Sequence, residues 1–486
     1  MKTPAAFALL SSSLLTFSSP NSVAASSDDF NDQHCQAPQS WQSFKSITMP
    51  DGNDFNSSSN CEFHAWSWQM FMWLMQEDPH NTGQPRFLGF KTPYDLLGVE
   101  NRESLLPRMA KSSDAKALDE YLQAGTEGLL VDRQGKPVYY SQYLNPEFVD
   151  FVSEHDLTNY KSVQKIDPSL SFDINVAEFK ASWKIVDATT ANSGQYFVTR
   201  QPVYKLVNKG GQIVVDITQQ SNEYLALVGF HIAGVVKGHP EMIWATFEHK
   251  DNAPNVCSKP QNSYDDPCPV VQNIDPNQIV SERDWTFYSA NTKYKECNLN
   301  YSVSGRLTLD EKSQTLSPST QVCRRYAWGN DATQATFKAP TNIRVVQQLN
   351  HSVDDLLASK DFALPQNRQW LKNYFEVSAI WFAQANALKP GQTLATNVDD
   401  KGQQLLIGGL HLSNATIETF TQTQSTMDNC FRCHNSSQRF PPNGSHKLSP
   451  LKPTNLNISH AFMNMYFWDQ EMKQYVKENL AKKGEK

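Results

Sequence analysis

A dense apolar pattern covers residues 61–76, CEFHAWSWQMFMWLMQ, where no Gly or Pro occurs and Trp, Phe, Met and Leu fall on every side. A helix without a polar stripe is buried on most of its surface, so the spacing predicts a core helix, stopped by Pro79. Residues 100–125 are helical in spacing again. From 128 the pattern changes to short strands, and GLLVDRQGKPVYYSQ predicts a hairpin turning at Gln134, Gly135, Lys136 and Pro137. In INVAEFKASWKIVD, residues 174–187, Ala177, Phe179, Ala181, Trp183 and Ile185 alternate with Glu178, Lys180, Ser182 and Lys184, the signature of a strand with two unlike faces.

YLALVGFHIAGVV (224–236) and MIWATFEH (242–249) predict two paired strands joined through Lys237, Gly238, His239 and Pro240. Residues 250–330 are rich in Asn, Asp and Pro and predict a looped excursion. Helical spacing returns over 340–390, and LLIGGLHL (405–412) predicts a short strand. Ser413 or Asn414 followed by Glu418 predicts a capped helix that delivers the chain to Cys430, and a last helix follows His460. No internal repeat is present. The order predicts an α+β fold with a mainly helical region over 26–130, a central antiparallel β region over 131–335 and a helical C-terminal region over 336–486, forming one intertwined body.

The first 25 residues change the compartment. Met1 and Lys2 precede an apolar, small-residue stretch, and Val23, Ala24 and Ala25 suit a signal peptidase, so a cleaved secretory leader and a periplasmic mature protein are expected. No later stretch is long enough to span a membrane. The chain has 486 residues, 39% hydrophobic and 11% aromatic, enough for a large core built on rings. With 43 basic against 50 acidic residues and no basic run, a phosphate-tracking surface has no support, and no nucleic-acid partner is expected.

Export makes disulfides the default reading of cysteine. Cys35, Cys61, Cys257, Cys268, Cys297 and Cys323 allow 15 pairings, of which nearest-neighbour pairing is the simplest, and none of them has the Cys-x-x-Cys spacing of a zinc site. Cys430-Phe431-Arg432-Cys433-His434 is different. Two thiols on one helical turn reach the two vinyl groups of a porphyrin, and the next residue places its imidazole under the iron. One covalently attached haem c is therefore expected, with His434 as iron ligand. A thioredoxin-like redox pair would need a βαβ setting that the surroundings lack.

Candidates for the second axial position are His460, Met463 and Met465 on the last helix, with His64 and His411 as weaker ones. His231 and His249 lie on the two paired strands at equal parity, which suggests a shared face, and with Glu248 they are candidate distal or acid/base groups, or ligands of a second metal. No hydrolase, zincin or nucleotide-binding motif occurs.

The strings EFKASWK (178–184), LVGFHIAG (227–234), IWATFEHKDNAP (243–254), WLKNYFEV (370–377) and SNATIETFTQ (413–422) through CFRCH (430–434) together resemble a family of exported bacterial cytochrome c family proteins. Members have one haem motif near the C-terminus of a long chain and no assigned reaction. The resemblance implies export and one haem, carried by Cys430, Cys433 and His434. Two functions remain open: an oxidoreductase with a substrate pocket beside the haem, and an electron carrier or ligand sensor. The partner is a redox protein or a small-molecule donor or acceptor.

Overall fold

The computed structural model describes residues 31–97, 128–268, 271, 273–329, 339–396, 405–409, 411–423, 428–441 and 448–484. The leader and the helical spacing at 100–125 lie outside the described residues. The fold is α+β, built on a seven-stranded antiparallel sheet. Its strands are β1 (Val138–Leu144), β2 (Ala177–Val186), β3 (Val198–Lys209), β4 (Gln212–Val236), β5 (His239–His249), β6 (Tyr374–Phe382) and β7 (Leu406–Ile407). Across the sheet the order is β7-β6-β5-β4-β2-β1, with β3 pairing the first half of the long β4. The sheet therefore recruits strands from both sides of residue 336.

The β4–β5 pair is closed by the two-residue turn Lys237-Gly238, in which Val236 faces His239 and Gly238 takes a φ of +82°. A left-handed residue is what a tight hairpin turn demands, and glycine adopts it without strain. Between the turn and the body of the pair a bulge places two extra residues on β5, where Met242 takes a φ of +69°, and beyond it His231 stands opposite Thr246 and Phe230 opposite Phe247. One face of the sheet thus presents Phe230, Ile232, Ala245 and Phe247, and the other His231, Ala233, Trp244 and Thr246.

Helix α1 (Asn60–Leu74) covers the first face, as its all-round apolar pattern predicts, and it ends before Pro79. Phe63 stacks on Trp381 at 4.0 Å, and Phe71 stacks on Phe247 at 4.2 Å. Each such buried ring contributes about 1.5–3 kcal/mol. Helix α2 (Ala339–Ala358) packs beside α1. The second face carries the C-terminal region, where Phe431 and the final helix α4 (His460–Gly484) join one apolar cluster with Trp244, Phe375 and Phe382.

Two predicted helices are absent. Residues 366–373 form a 3-10 turn, and 374–382 are strand β6, every residue of which is buried. A run such as YFEVSAIWF, covered on both faces, loses the alternation that marks a strand and mimics helical spacing. The expected helix after Asn414 does not form either, although the Asn414 Oδ1 accepts the Ile417 and Glu418 amides at 2.9 and 3.0 Å as a cap would. The carbonyls that would continue the helix are taken by side chains: Thr419 Oγ1 donates to Ala415 O at 2.7 Å and Tyr140 Oη to Thr416 O at 2.6 Å.

The disulfides are Cys35–Cys61, Cys257–Cys268 and Cys297–Cys323, the nearest-neighbour set. Such bridges belong to an oxidising, extracytoplasmic compartment. Among the described residues no helix is long and apolar enough to cross a membrane.

Beneath α1 lies a fully enclosed ion pair. His64 Nδ1 donates to Glu376 Oε1 at 2.8 Å and Nε2 to Asn342 Oδ1 at 2.8 Å, tying α1 to β6 and α2, and both side chains of the pair have 0% exposure. Burial opposes charging His64, but the Glu376 carboxylate and the two hydrogen bonds outweigh it and raise its pKa. Burial raises Glu376 as well, against the pull of His64. Both groups hold protons more tightly folded than unfolded, so their stabilisation is complete at acid pH and is lost as pH rises through the folded His64 pKa. Replacing His64 by Leu strands the carboxylate. We expect a loss of about 3–5 kcal/mol in urea denaturation at pH 6; a loss below about 1 kcal/mol would contradict this account of the pair.

Candidate functional site

The motif occupies helix α3 (Cys430–Cys433), a single turn capped by Asn429, whose Oδ1 accepts the Phe431 amide at 3.0 Å. Phe431 anchors the turn in the apolar cluster, 4.7 Å from the Phe382 ring. Cys430 and Cys433 are unpaired, and both line a cavity of about 400 Å³. Burial, reinforced by Glu418, pushes both thiols above their usual range. A redox dithiol needs the opposite, a thiolate-favouring setting.

His434 follows the turn. Its Nδ1 donates to the Ile458 carbonyl at 2.7 Å, which fixes the tautomer, since a carbonyl can only accept. The lone pair therefore sits on Nε2, which makes no hydrogen bond to any described residue. Burial and the neighbouring His460 hold the pKa of His434 well below the usual range, so the ring is neutral. It is sandwiched between Trp244, 3.9 Å away, and His460, 3.8 Å away.

The cavity has three walls: the polar face of the sheet, with Glu178, Lys180, His231, Trp244 and Thr246; the loop around Asn414 and Glu418; and the motif with His460 and Asn464 of α4. The loop wall is nailed to the sheet. Ala415 donates its amide to Glu248 Oε1, and Ser182 Oγ donates to Thr416 Oγ1 at 2.9 Å. Gly229 makes room for this contact, because a Cβ there would meet Thr416 Oγ1 at 2.1 Å and Ser182 Oγ at 2.6 Å.

The sequence-derived candidates divide. His231, Cys430, Cys433, His434 and His460 meet at the cavity. His249 and Glu248 do not line it. The equal-parity argument for a shared histidine face fails because the hairpin pairs odd with even positions: His231 faces Thr246, which leaves His249 on the other side. There His249 stacks on Tyr196 at 4.1 Å, bonds Gln195 O at 3.1 Å, and is held neutral by burial, its pKa falling to about 4. Glu248 shares the His231 face but is spent on structure, fully buried against the Arg324 guanidinium and the Ala415 amide.

His64 lies in the ion pair under α1, and His411 accepts the Asp428 amide at 3.1 Å while stacking on Tyr326. Met465 is buried in the apolar cluster and Met463 packs against it; neither lines the cavity. His460 reaches the cavity, where its ring stacks on His434 at 3.8 Å and its Nε2 lies 3.4 Å from the Cys433 carbonyl. Among the described residues no group of three or more His, Cys, Asp or Glu side chains is placed to hold a metal ion.

Sequence reasoning missed Glu178, Lys180, Trp244, Asn414, Glu418 and Asp428. Their signal was faint: charges alternating along 178–184 lie on a polar face that looks toward the cavity. Burial raises the Glu178 and Asp428 carboxyls to about 7 each. Glu178 accepts from Ser459 Oγ at 2.5 Å, and Ser459 Oγ accepts the Phe462 amide at 3.1 Å, so this carboxyl ties the start of α4 to the sheet.

Comparisons with protein-family models, curated proteins and solved structures find no match for the chain.

The raised Glu178 has a measurable consequence. Its proton is bound more tightly in the folded protein, so stability falls as pH rises from 4.5 to about 7 and levels above that. Glu178→Gln should flatten this slope and stabilise the protein at pH 8 by at most about 3 kcal/mol, read from urea titrations at pH 5 and pH 8. Parallel pH dependences in the two proteins would refute it.

Proposed function

We propose that the chain carries one haem c, joined through Cys430 and Cys433 with His434 as iron ligand, and acts as a periplasmic haem oxidoreductase whose cavity admits a small ligand or substrate. The observation that carries this reading is His434. Its Nδ1 is committed to the Ile458 carbonyl and its neutral Nε2 is left to the cavity, the state in which histidine binds a metal and the outer-shell bond that orients one. Two unpaired, protonated thiols beside it fit thioether formation better than redox exchange. The buried Arg432 Nη1 has no hydrogen-bond partner, which suits an anionic propionate. The resemblance to exported monohaem cytochrome c proteins points the same way.

Haem would supply one-electron chemistry and, at a free coordination position, ligand binding. The chain's own residues fix the site around it. Trp244 and His460 restrain the His434 ring, Phe431 holds the attachment turn, and the anchored loop gives the cavity a fixed wall. Met463 and Met465 do not line the cavity and His460 stacks on the His434 ring, so the cavity presents no further side chain committed to the iron, which favours a ligand-binding oxidoreductase. The exposure of Cys433 opens the motif to solvent, which favours the second reading, electron exchange with a redox protein or a small-molecule donor or acceptor.

The test is a visible spectrum of protein made with c-haem maturation, with and without carbon monoxide after reduction. We expect one covalent haem per chain, a spectrum displaced by the gas, and no free thiol; chain made without maturation should titrate two thiols on unfolding. Cys430→Ala together with Cys433→Ala should abolish covalent attachment. A haem-free wild type defeats the whole reading, and a haem spectrum that carbon monoxide leaves unchanged favours the carrier.

A further inference from the structure

His231 is the one sequence-derived acid/base candidate that the fold brings to the cavity, and it does not arrive alone. Its Nε2 lies 3.4 Å from Glu418 Oε2 and 3.4 Å from Asn414 Nδ2. Asn414 Nδ2 in turn donates to Glu418 Oε2. The amide orientation of Asn414 is fixed, because its Oδ1 accepts the Ile417 and Glu418 backbone amides. The three side chains therefore form a closed set across β4 and the loop, all lining the cavity, and the Ala415–Glu248 and Thr416–Ser182 contacts hold that loop in register with the strand.

Placement relative to the motif follows from the sheet. His231 stands opposite Thr246, so Trp244 is its diagonal neighbour, about 7–8 Å away between Cα atoms, and the Trp244 ring is in contact with His434. The two imidazoles differ in their surroundings. His434 Nε2 has no partner among the described residues, as a metal ligand requires, whereas His231 Nε2 accepts from the Asn414 amide beside Glu418, which places the proton of the neutral ring on Nδ1, a nitrogen bonded to no described residue.

Resting on the haem reading, we propose that His231, with Asn414 and Glu418 as its positioning residues, donates its Nδ1–H to a small, lone-pair-rich ligand held in the cavity that it lines together with His434. The ligand class is a compact oxygen-centred molecule or anion that accepts a hydrogen bond. Such a donor discriminates by chemistry: it tightens binding of a good acceptor and leaves a poor acceptor such as carbon monoxide nearly unaffected.

The probe is fluoride, a strong acceptor, titrated into the ferric haem-loaded protein and followed in the visible spectrum, with carbon monoxide binding to the ferrous protein as the contrast. His231→Leu should weaken fluoride by at least about tenfold while changing carbon monoxide affinity less than about threefold. Glu418→Gln should weaken fluoride by a smaller factor. His249→Leu, on the opposite face, should change neither. Haem-loaded wild type that binds no fluoride, or equal fluoride affinities in wild type and His231→Leu, overturns the proposal. So does a low-spin wild-type spectrum that turns high-spin in His231→Leu, which would make His231 an iron ligand. Haem content, measured first, separates all of these from failure of the haem reading itself.

Discussion

The β4–β5 hairpin combines a two-residue turn with a bulge on β5, and the register that results assigns every neighbouring side chain to one of two environments. With Val236 facing His239 across Lys237-Gly238, the rings of Phe230 and Phe247 belong to α1, while His231, Trp244 and Thr246 belong to the cavity. A slip of one residue would put a neutral histidine and a threonine against the aromatic underside of α1 and send phenylalanines toward the motif. Core and site are reciprocal outcomes of one strand register.

The polar groups placed inside this frame have different tasks on the two faces. Under α1, the His64–Glu376 pair and Asn350, which accepts from Trp68 Nε1 at 3.0 Å and donates to Glu376 O at 2.8 Å, join three elements without reaching any cavity. Such an enclosed network specifies how the helices dock more than it adds net stability. On the other face, Glu248 and Arg324 form a second enclosed pair, and its free carboxylate oxygen reaches the Ala415 amide to hold the cavity wall. Glu178 joins the start of α4 to β2. The site is therefore framed by buried carboxyl groups on two sides, one paired with Arg324 and one holding its proton up to about pH 7, while His434 and His231 are kept neutral by the same desolvation.

Much of this was legible in residue order, and the failures have physical causes. The core helix, the β4–β5 hairpin, the looped disulfide region and the motif all follow from local patterns, because each depends on contacts within a few residues. The nearest-neighbour disulfides were the simplest choice among many and proved to be the ones present. Strand β6 was hidden because burial on both faces erases alternation. The loop at Asn414 carries a true capping pattern, yet Tyr140, some 270 residues earlier, diverts the carbonyl that a helix would use. His249 was misplaced by one unit of parity, and Glu418 was read as a helix-start residue when its carboxylate belongs to His231. Long-range partners of this kind leave no mark on local spacing.

The contact between Gly229 and Thr416 has a consequence for how the protein assembles. The strand that receives the loop precedes it by almost two hundred residues, and the other sheet residues of the cavity, from Glu178 to Thr246, also precede the motif in the chain. Only β6 and β7, the Asn414 loop, α3 and α4 come last. The loop therefore completes a wall drawn from much earlier in the chain, and it seats against a strand position that has no side chain to obstruct it.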